Sequence, residues 1–323
     1  HSGALGFLAA GPGPEGFLTS RIDFIGRAGT LRAPRVLQTL AFTPPEDTDL
    51  HPTFDPIASL LLSHNLSPGE EWRTQLVIGM ADDEEEAAEL ILRHLDLPRP
   101  AAPLGPSRRK GRHRIGHGEI PPGVPQPYTE FSADGRTMHV RTPFTPRPFD
   151  HTLSNALGQV TVVTNRGLHT TSSVNAQQNR LTPDCPDTVT RELPGEAIYL
   201  YDPDHDQWYA PTYEPLRDRE ARHEVAYGVD GTAVFRMSKG SVETELTVFV
   251  PPDEPASIYL LTVTNRGASP LRLRAAPYFQ MVLADQPEHS GPLAVTPLEE
   301  LNGLLITNPR NTFRRGPALV AMS

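Results

Sequence analysis

The polar loop at residues 172–187 carries the residue types best suited to bind a hydroxyl-rich ligand. It reads SSVNAQQNRLTPDCPD and brings amides, a guanidinium and a hydroxyl together. Amides and hydroxyls both donate and accept hydrogen bonds, as sugar hydroxyls do, and arginine adds donors. The candidate carbohydrate-binding residues are therefore Asn175, Gln177, Asn179, Arg180 and Thr182. The alternative is an ordered loop whose amides satisfy its own backbone.

Two further groups of side chains are of types that take part in sugar recognition or cleavage. Glu243 and Glu245 lie two residues apart in a segment of alternating polarity, so both carboxylates project from one face of a strand. Paired carboxylates hydrolyse glycosides, but paired acids are also common on exposed sheet faces. His205, Asp206 and Trp208 suggest a sugar-stacking platform, with an aromatic core cluster as the alternative.

Metal, cofactor and nucleophile motifs are not found in the sequence. The nearest approach to a metal site is His113, His117 and Glu119, within a proline- and glycine-rich stretch, so we predict no bound metal. The sequence has no Gly-x-Ser-x-Gly elbow, phosphate-binding loop or dinucleotide fingerprint, and we predict no cofactor. It therefore supplies no self-sufficient catalytic site.

Composition restricts the class of partner. The 323 residues include 29 Lys and Arg against 39 Asp and Glu, which gives a net charge of −10. Because phosphate binding needs clustered cations, we predict that nucleic acid is not a partner. No apolar run is long enough to span a bilayer. The single cysteine, Cys185, excludes an internal disulfide framework and fits a reducing compartment or a fold without bridges.

The segments that must position these side chains alternate in polarity with a period of two and end in Gly, Pro, Asn or Asp. They predict the strands of an all-β, mainly antiparallel fold, with a hairpin turn at Gly240. Residues 19–34, TSRIDFIGRAGTLRAP, predict another strand followed by a glycine turn. One helix is predicted within residues 81–97, capped by Asp82 and acidic in its first turn. Its apolar stripe consists of Ala87, Leu90, Ile91 and Leu95.

Residues 97–127 differ from the rest of the chain because proline and glycine dominate and the apolar residues have no period. This composition predicts an extended, solvated linker. Its RRKGRHR run, residues 108–114, is basic in an otherwise acidic protein. The run suggests a dock for an acidic surface or lipid, or a proteolytic site, with a solvated cationic linker as the alternative.

Eight segments, taken together, resemble one known family. They are FSADGR, TPFTPRPFDHTLSN, NAQQNRLTP, PGEAIYLYDPDHDQWYAPTYEPLRD, ELTVFVPPDEPASIYLLTVTNRGASPLRLR, ITNPRNTFRRGPALVAM, SRIDFIGRAGTLRAP and DPIASLLLSHNLSPGEEWRTQLVIGMADDEEEAAELI. They resemble the β-sandwich that precedes the catalytic barrel in family 94 glycoside phosphorylases, such as cellobiose and chitobiose phosphorylases, and most closely the tandem sandwiches of cyclic β-1,2-glucan synthases. The resemblance covers residues 20–95 and 128–320. It implies a large antiparallel β-sandwich of the galactose mutarotase-like super-sandwich type, with one or two short helices.

The order of these segments departs from the family, where the part like residues 19–95 follows the part like 131–323. The resemblance therefore implies that residues 1–96 are the C-terminal portion of the sandwich, 97–127 a linker and 128–323 its N-terminal and central portion. A circular permutation and a piece of a tandem array both explain this order. Residues 4–10 and 317–321 are predicted to be antiparallel neighbours, within one subunit or between two. The predicted assembly residues are Ala4, Phe7, Pro317 and Val320.

The resemblance also implies a role. The α/α barrel that holds the general acid of the family is outside these motifs, so the chain is expected to be carbohydrate-associated and non-catalytic, with an oligo- or polysaccharide as partner and a cytoplasmic location. Two alternatives remain. One is a structural protein that self-assembles into a filament or ring by strand exchange. The other is a free-standing sugar-binding module built around Arg180.

Overall fold

The described residues form a mainly antiparallel β-sandwich. A computed structural model of the chain describes residues 4–9, 14–27, 29–44, 55–81, 83–95, 127–174, 179–184, 195–298, 303–311 and 318–322. The strands are β1 (Ala4–Ala9), β2 (Gly16–Ser20), β3 (Pro56–Leu66), β4 (Glu71–Met80), β5 (Thr129–Phe131), β6 (Thr137–Val140), β7 (Asp150–Ser154), β8 (Val160–Thr164), β9 (Gly167–Ser172), β10 (Glu196–Asp202), β11 (Gln207–Tyr209), β12 (Arg222–Gly228), β13 (Thr232–Lys239), β14 (Val242–Phe249), β15 (Ala256–Asn265), β16 (Leu271–Gln280), β17 (Ala294–Leu298), β18 (Gly303–Asn308) and β19 (Ala318–Met322). The α-helices are α1 (Arg21–Ile25), α2 (Val36–Thr39) and α3 (Glu84–Leu95), and a 3₁₀ turn spans Pro287–His289.

The strands form three sheets. The long sheet has eleven strands in the order β17-β18-β1-β19-β4-β15-β14-β13-β12-β6-β5. A second sheet has the order β11-β10-β16-β3-β2, and a third has the order β7-β8-β9. Both halves of the sequence contribute neighbours to the same sheets, because β4 pairs with β15 and β3 pairs with β16. The described part of the chain therefore folds around pairings between its first hundred residues and its last two hundred.

Three apolar layers hold the sheets together. The main core lies on the inner face of the long sheet and includes Leu76, Leu246 and Tyr259 together with residues of the other two sheets. A second cluster covers the opposite face of the five-stranded sheet with α1 and α2. A third, smaller cluster lies under α3 on the outer face of the long sheet. Alternation along each strand therefore sends side chains into a core on one face and, on much of the other, into solvent.

Helix α3 matches its sequence prediction except at its cap. Ala87, Leu90 and Ile91 are buried against the long sheet, as the apolar stripe predicts. The cap is Asp83, whose carboxylate accepts a hydrogen bond of 2.9 Å from the backbone N–H of Glu86. The predicted cap, Asp82, and the side chain of Leu95 lie outside the described residues. None of the helices in the described part of the chain has the length and apolarity that a bilayer crossing requires.

The segment at residues 19–34 departs from its predicted strand. Strand β2 ends at Ser20, and Arg21–Ile25 form the one-turn helix α1, which ends at Gly26 with φ of 81°. Phe24 is fully buried in α1, with ring centroids 5.6 Å from Tyr199 and 5.1 Å from Tyr278. Phe24 is the buried residue of α1 and packs on the five-stranded sheet from a helical turn, although the polarity of the segment alternates as in a strand.

The hairpin predicted at Gly240 is present, together with a second one that was not predicted. β13 and β14 pair over eight residues across a turn at Gly240, whose φ is 57°. β10 and β11 form a second hairpin at the DPDHDQWY segment. The two VTNRG motifs, residues 163–167 and 263–267, both contain the end of a strand, at Thr164 and at Asn265. Turn chemistry near Gly and Asn therefore placed these strand ends correctly.

Strands β1 and β19 are neighbours in the long sheet, but they are parallel rather than antiparallel as predicted. Gly6 pairs with Ala318 in a parallel bridge, while both strands run antiparallel to β18. Two strands that are each antiparallel to a common third strand must be parallel to each other. The sequence pattern of short apolar residues contains no information on strand direction, so the prediction of direction was wrong. Pro317 and Ala10 lie outside the described residues.

Candidate functional site

The described part of the polar loop is largely buried. Asn179 and Thr182 are both fully buried. The Asn179 Oδ1 accepts a hydrogen bond of 2.8 Å from the Nδ2 of Asn311. The Thr182 hydroxyl donates to the Glu196 Oε1 over 2.7 Å and accepts the backbone N–H of Thr171. These two side chains therefore fix the loop to the sandwich. Asn175 and Gln177 lie outside the described residues.

Arg180 reaches the protein surface beside an acid and a histidine. Its Nη1 lies 2.9 Å from the Asp184 Oδ2, and the other Asp184 oxygen lies 3.1 Å from the His169 Nε2. The side chain of Arg180 is 21% exposed and that of Asp184 is 34% exposed. Burial lowers the pKa of His169, and Asp184 opposes that shift. Direct contact with a sugar stays a prediction for Arg180, whose side chain solvent can reach.

A polar network continues from Thr182 into the core. Glu196 is fully enclosed, and its two oxygens accept hydrogen bonds from Thr182 and from the Tyr259 hydroxyl, the latter at 3.0 Å. The Thr171 hydroxyl lies 3.3 Å from the same phenol oxygen. Burial raises the pKa of Glu196, and these hydroxyls oppose that shift. A carboxyl enclosed in this way joins the sheets by hydrogen bonds and is out of reach of a ligand.

The aromatic group at residues 205–208 behaves as part of the fold. The Trp208 ring lies 4.6 Å from that of Tyr201, and its side chain packs against the cluster under α1 and α2. The His205 Nδ1 lies 2.6 Å from the Asp202 Oδ2, and Asp206 accepts a hydrogen bond from the Tyr201 hydroxyl. His205 and Asp206 thus each already have a partner on β10. The stacking platform stays a prediction without a described surface to support it.

A cleft lies on the outer face of the long sheet, with a volume of about 400 Å³. Two rows of directly opposite residues run across five strands, from β4 to β12. The first row is Glu71, Thr264, Glu243, Ser238 and Arg222. The second row is Arg73, Thr262, Glu245, Arg236 and Glu224. All of these except Arg73 line the cleft, together with Arg266.

The acidic side chains of this cleft form ion pairs with arginines. Arg266 Nε lies 2.8 Å from the Glu243 Oε2, and Arg236 Nε lies 3.0 Å from the Glu245 Oε2. At the two margins of the cleft, Arg222 pairs with Glu224 at 3.4 Å and Arg73 pairs with Glu71 at 2.7 Å. The carboxylates that the sequence placed on one strand face are therefore part of a ladder of ion pairs. Such a ladder differs from the acid and nucleophile pair of a glycosidase.

Sequence reasoning missed most of this cleft. It identified Glu243 and Glu245, but their arginine partners come from β13 and from the turn after β15. The signal in the sequence was spacing. Arg222 and Glu224 are two residues apart, as are Arg236 and Ser238, and this spacing places polar side chains on one face of each strand. Which residues face each other depends on register across strands, and the sequence does not give that register. The histidines His113 and His117 and the acid Glu119 lie outside the described residues, and the described residues contain no group of three metal-binding side chains.

Comparison with known proteins identifies the family. A family model for the glycosyl hydrolase 94 supersandwich domain matches residues 2–97 and 136–323. The cyclic beta-(1,2)-glucan synthase NdvB of Rhizobium meliloti (strain 1021) is 29% identical over 183 residues, which are 55% of this chain and 6% of that protein. The N,N'-diacetylchitobiose phosphorylase of Vibrio furnissii is 25% identical over 184 residues, which are 55% of this chain and 23% of that protein. The chain spans less than a quarter of either relative. With most of its length matched by the family model, the chain belongs to the glycosyl hydrolase 94 supersandwich domain family.

Proposed function

We propose that this chain is a non-catalytic, carbohydrate-associated β-sandwich that holds an oligo- or polysaccharide in the cleft on its outer sheet face. The observation that carries the proposal is the family match over residues 2–97 and 136–323. The named activities of the relatives, glucan synthesis and phosphorolysis of a disaccharide, both concern sugars. A β-glucan or a β-linked disaccharide is therefore the ligand class to test first.

The lining of the cleft supports this location. Sugar hydroxyls donate and accept hydrogen bonds, so they match carboxylates that accept, guanidiniums that donate and hydroxyls that do both. The cleft offers all three, with Glu243 beside Arg266 and with the hydroxyl residues Ser238 and Thr262 between the charged pairs. Its volume of about 400 Å³ lies within the range typical of small-ligand sites.

The charge balance supports a binding role without catalysis. A glycoside hydrolase needs one carboxyl that holds a proton and a second that acts as base or nucleophile. In the cleft, Glu243 and Glu245 each form an ion pair with an arginine within 3.0 Å. Both carboxylates are therefore occupied by guanidinium groups, an arrangement that favours recognition of a polar ligand over cleavage.

Calorimetric titration with β-1,2-glucan oligosaccharides and with N,N'-diacetylchitobiose tests the binding proposal. The double variant Glu243→Ala/Arg266→Ala is expected to weaken binding at least about tenfold, since it removes polar contacts from the ligand site. Arg272→Ala is the matched control, because it breaks a similarly exposed ion pair with Asp204 outside the cleft. Binding that is absent in the wild type, or equal in both variants, would contradict the proposal.

The absence of catalysis is tested separately. The purified chain is incubated with cellobiose or N,N'-diacetylchitobiose and inorganic phosphate, and sugar phosphate is quantified. We expect no turnover, and measurable phosphorolysis would overturn the non-catalytic assignment. Arg180→Ala tests the alternative of a sugar-binding module at the polar loop. That alternative requires glucan affinity to fall in Arg180→Ala and to be unchanged in the cleft variant.

A further inference from the structure

A group of exposed arginines lies on the layer that covers the five-stranded sheet. Arg27, Arg32 and Arg35 are exposed and belong to the loop that connects α1 to α2. The loop folds back on itself, because the backbone N–H of Arg35 donates to the Ile25 carbonyl over 3.3 Å and the Arg35 side chain lies against Gly26. One short loop therefore carries all three guanidiniums, and we call this surface the basic patch.

The basic patch has no acidic partner among the residues that the structure describes. None of its three guanidiniums forms an ion pair with a described residue, whereas Arg21 of α1 pairs with Asp55 at 3.4 Å. Two exposed apolar residues flank the patch, Ile22 on α1 and Leu40 at the end of α2. In a chain with a net charge of −10, an uncompensated positive surface attracts an acidic partner.

Helix α3 presents the opposite charge to solvent. Glu84, Glu85 and Glu89 are exposed, and Leu92 on the same helix is 60% exposed. Glu85, Glu89 and Leu92 follow the i, i+4, i+7 spacing of one helix face. Arg93 partly offsets Glu89 at 3.9 Å, while Glu84 and Glu85 form no ion pair with a described residue. We call Glu84, Glu85, Glu89 and Leu92 the acidic face.

The basic patch and the acidic face lie on opposite sides of the sandwich. α1 and α2 pack on the face of the five-stranded sheet that is turned away from the main core. α3 packs on the face of the long sheet that is turned away from the same core. Two sheets stacked about 10 Å apart separate the two surfaces, and both surfaces lie outside those sheets. The fold therefore prevents them from meeting within one copy.

We propose that the basic patch is a docking surface for the acidic face of a second copy, so that copies of this chain associate head to tail. The charges of the two surfaces are opposite, and each surface has exposed apolar side chains beside its charges. A contact between two different surfaces leaves one of each unused at the ends of the pair. Further copies can then add, which gives a ring or a filament. The proposal does not depend on sugar binding.

Sedimentation velocity of the wild-type chain tests the association. Exposed charges are screened over a Debye length that is about 10 Å at 0.1 M salt and about 3 Å at 1 M. We expect concentration-dependent oligomers in dilute salt and at least a tenfold weaker association constant in 1 M NaCl. A chain that stays monomeric at about 100 μM in dilute salt, or oligomers that do not respond to salt, would overturn the proposal.

Mixing two variants tests whether the contact joins two different surfaces. Arg32→Ala/Arg35→Ala removes charge from the basic patch and keeps the acidic face, and Glu84→Ala/Glu85→Ala does the reverse. All four side chains are exposed, so both variants are expected to keep the wild-type Tm within about 2 °C. Each variant alone is expected to be monomeric. Their mixture is expected to give a 1:1 dimer and nothing larger, because one intact pair of surfaces remains.

A control separates docking from a general effect of net charge. Arg136→Ala/Arg222→Ala removes the same two positive charges from exposed positions outside the basic patch. This variant is expected to associate as the wild type does, with an association constant changed by less than about threefold. Association lost equally in the control, or a mixture of the two surface variants that stays monomeric, would show that the basic patch does not dock a second copy.

Discussion

The two faces of strands β12 to β15 hold their polar groups in opposite ways. On the outer face, Glu243 and Arg266 pair across the cleft while remaining 47% and 58% exposed. On the inner face, His223 and Tyr259 are enclosed, and the Tyr259 hydroxyl donates to a carboxyl that solvent does not reach. One strand therefore supplies both kinds of polar group, because its side chains alternate between the two faces. The inward residues determine the stability of the fold and the dependence of that stability on pH. The outward residues are available to a ligand.

The largest contrast is expected between two residues of β14. Leu246→Ala removes a fully buried side chain at the centre of the main core and is expected to cost about 2–5 kcal/mol of unfolding free energy. Glu243→Ala, on the outer face of the same strand, is expected to shift Tm by at most about 2 °C. Urea and thermal unfolding of both variants measure the contrast. Similar losses in the two would remove the distinction between the faces.

A fall in pH is expected to destabilise the fold through a buried histidine on the inner face. Burial lowers the pKa of His223 from its usual 6.5 to about 4, so between these values the unfolded chain binds a proton that the folded chain does not. Stability therefore falls as pH drops from 6.5 to 4, by about 3 kcal/mol from this residue. The unfolding free energy of His223→Gln is expected to depend less on pH in this window than that of the wild type. His289→Gln, at an exposed histidine, is the control, and equal slopes in wild type and His223→Gln would contradict the assignment.

A smaller loss is expected from the core hydroxyl on β15. Tyr259→Phe leaves one oxygen of Glu196 without its 3.0 Å hydrogen bond and is expected to cost about 1–2 kcal/mol. A double-mutant cycle with Glu196→Ala isolates the pair, and a coupling energy near zero would show that the two groups do not interact. Burial raises the pKa of Glu196, so this acid alone makes the folded state less stable as pH rises above 4.5 and through its raised pKa. Glu196→Gln is therefore expected to gain stability relative to the wild type as pH rises from 4.5 to 7.

The smallest effect is expected at the ion pairs of the cleft. Arg266→Ala is expected to leave Tm within about 2 °C of the wild type, and addition of 1 M NaCl is expected to reduce even that difference, because salt screens exposed pairs. Thermal melts of both proteins at two salt concentrations measure this difference in Tm. A large, salt-independent loss would mean that the outer face contributes to stability as the inner face does.

Much of the strand content was readable from the sequence, because alternation and turn residues are local. The hairpin at Gly240 and the apolar stripe of α3 follow from period and from turn chemistry. The resemblance to a sugar-phosphorylase sandwich was also present in short segments and is confirmed by the family match. Local signals failed at Arg21–Ile25, where the burial of Phe24 among aromatic rings of a distant sheet produced a helix.

The tertiary structure alone decided how distant segments meet. Alternation placed Glu243 and Glu245 on a common face, but the arginines that pair with them depend on how the strands are aligned in the sheet. The sequence placed Asn179 and Thr182 in a polar loop, whereas packing against Asn311 and Glu196 buries both.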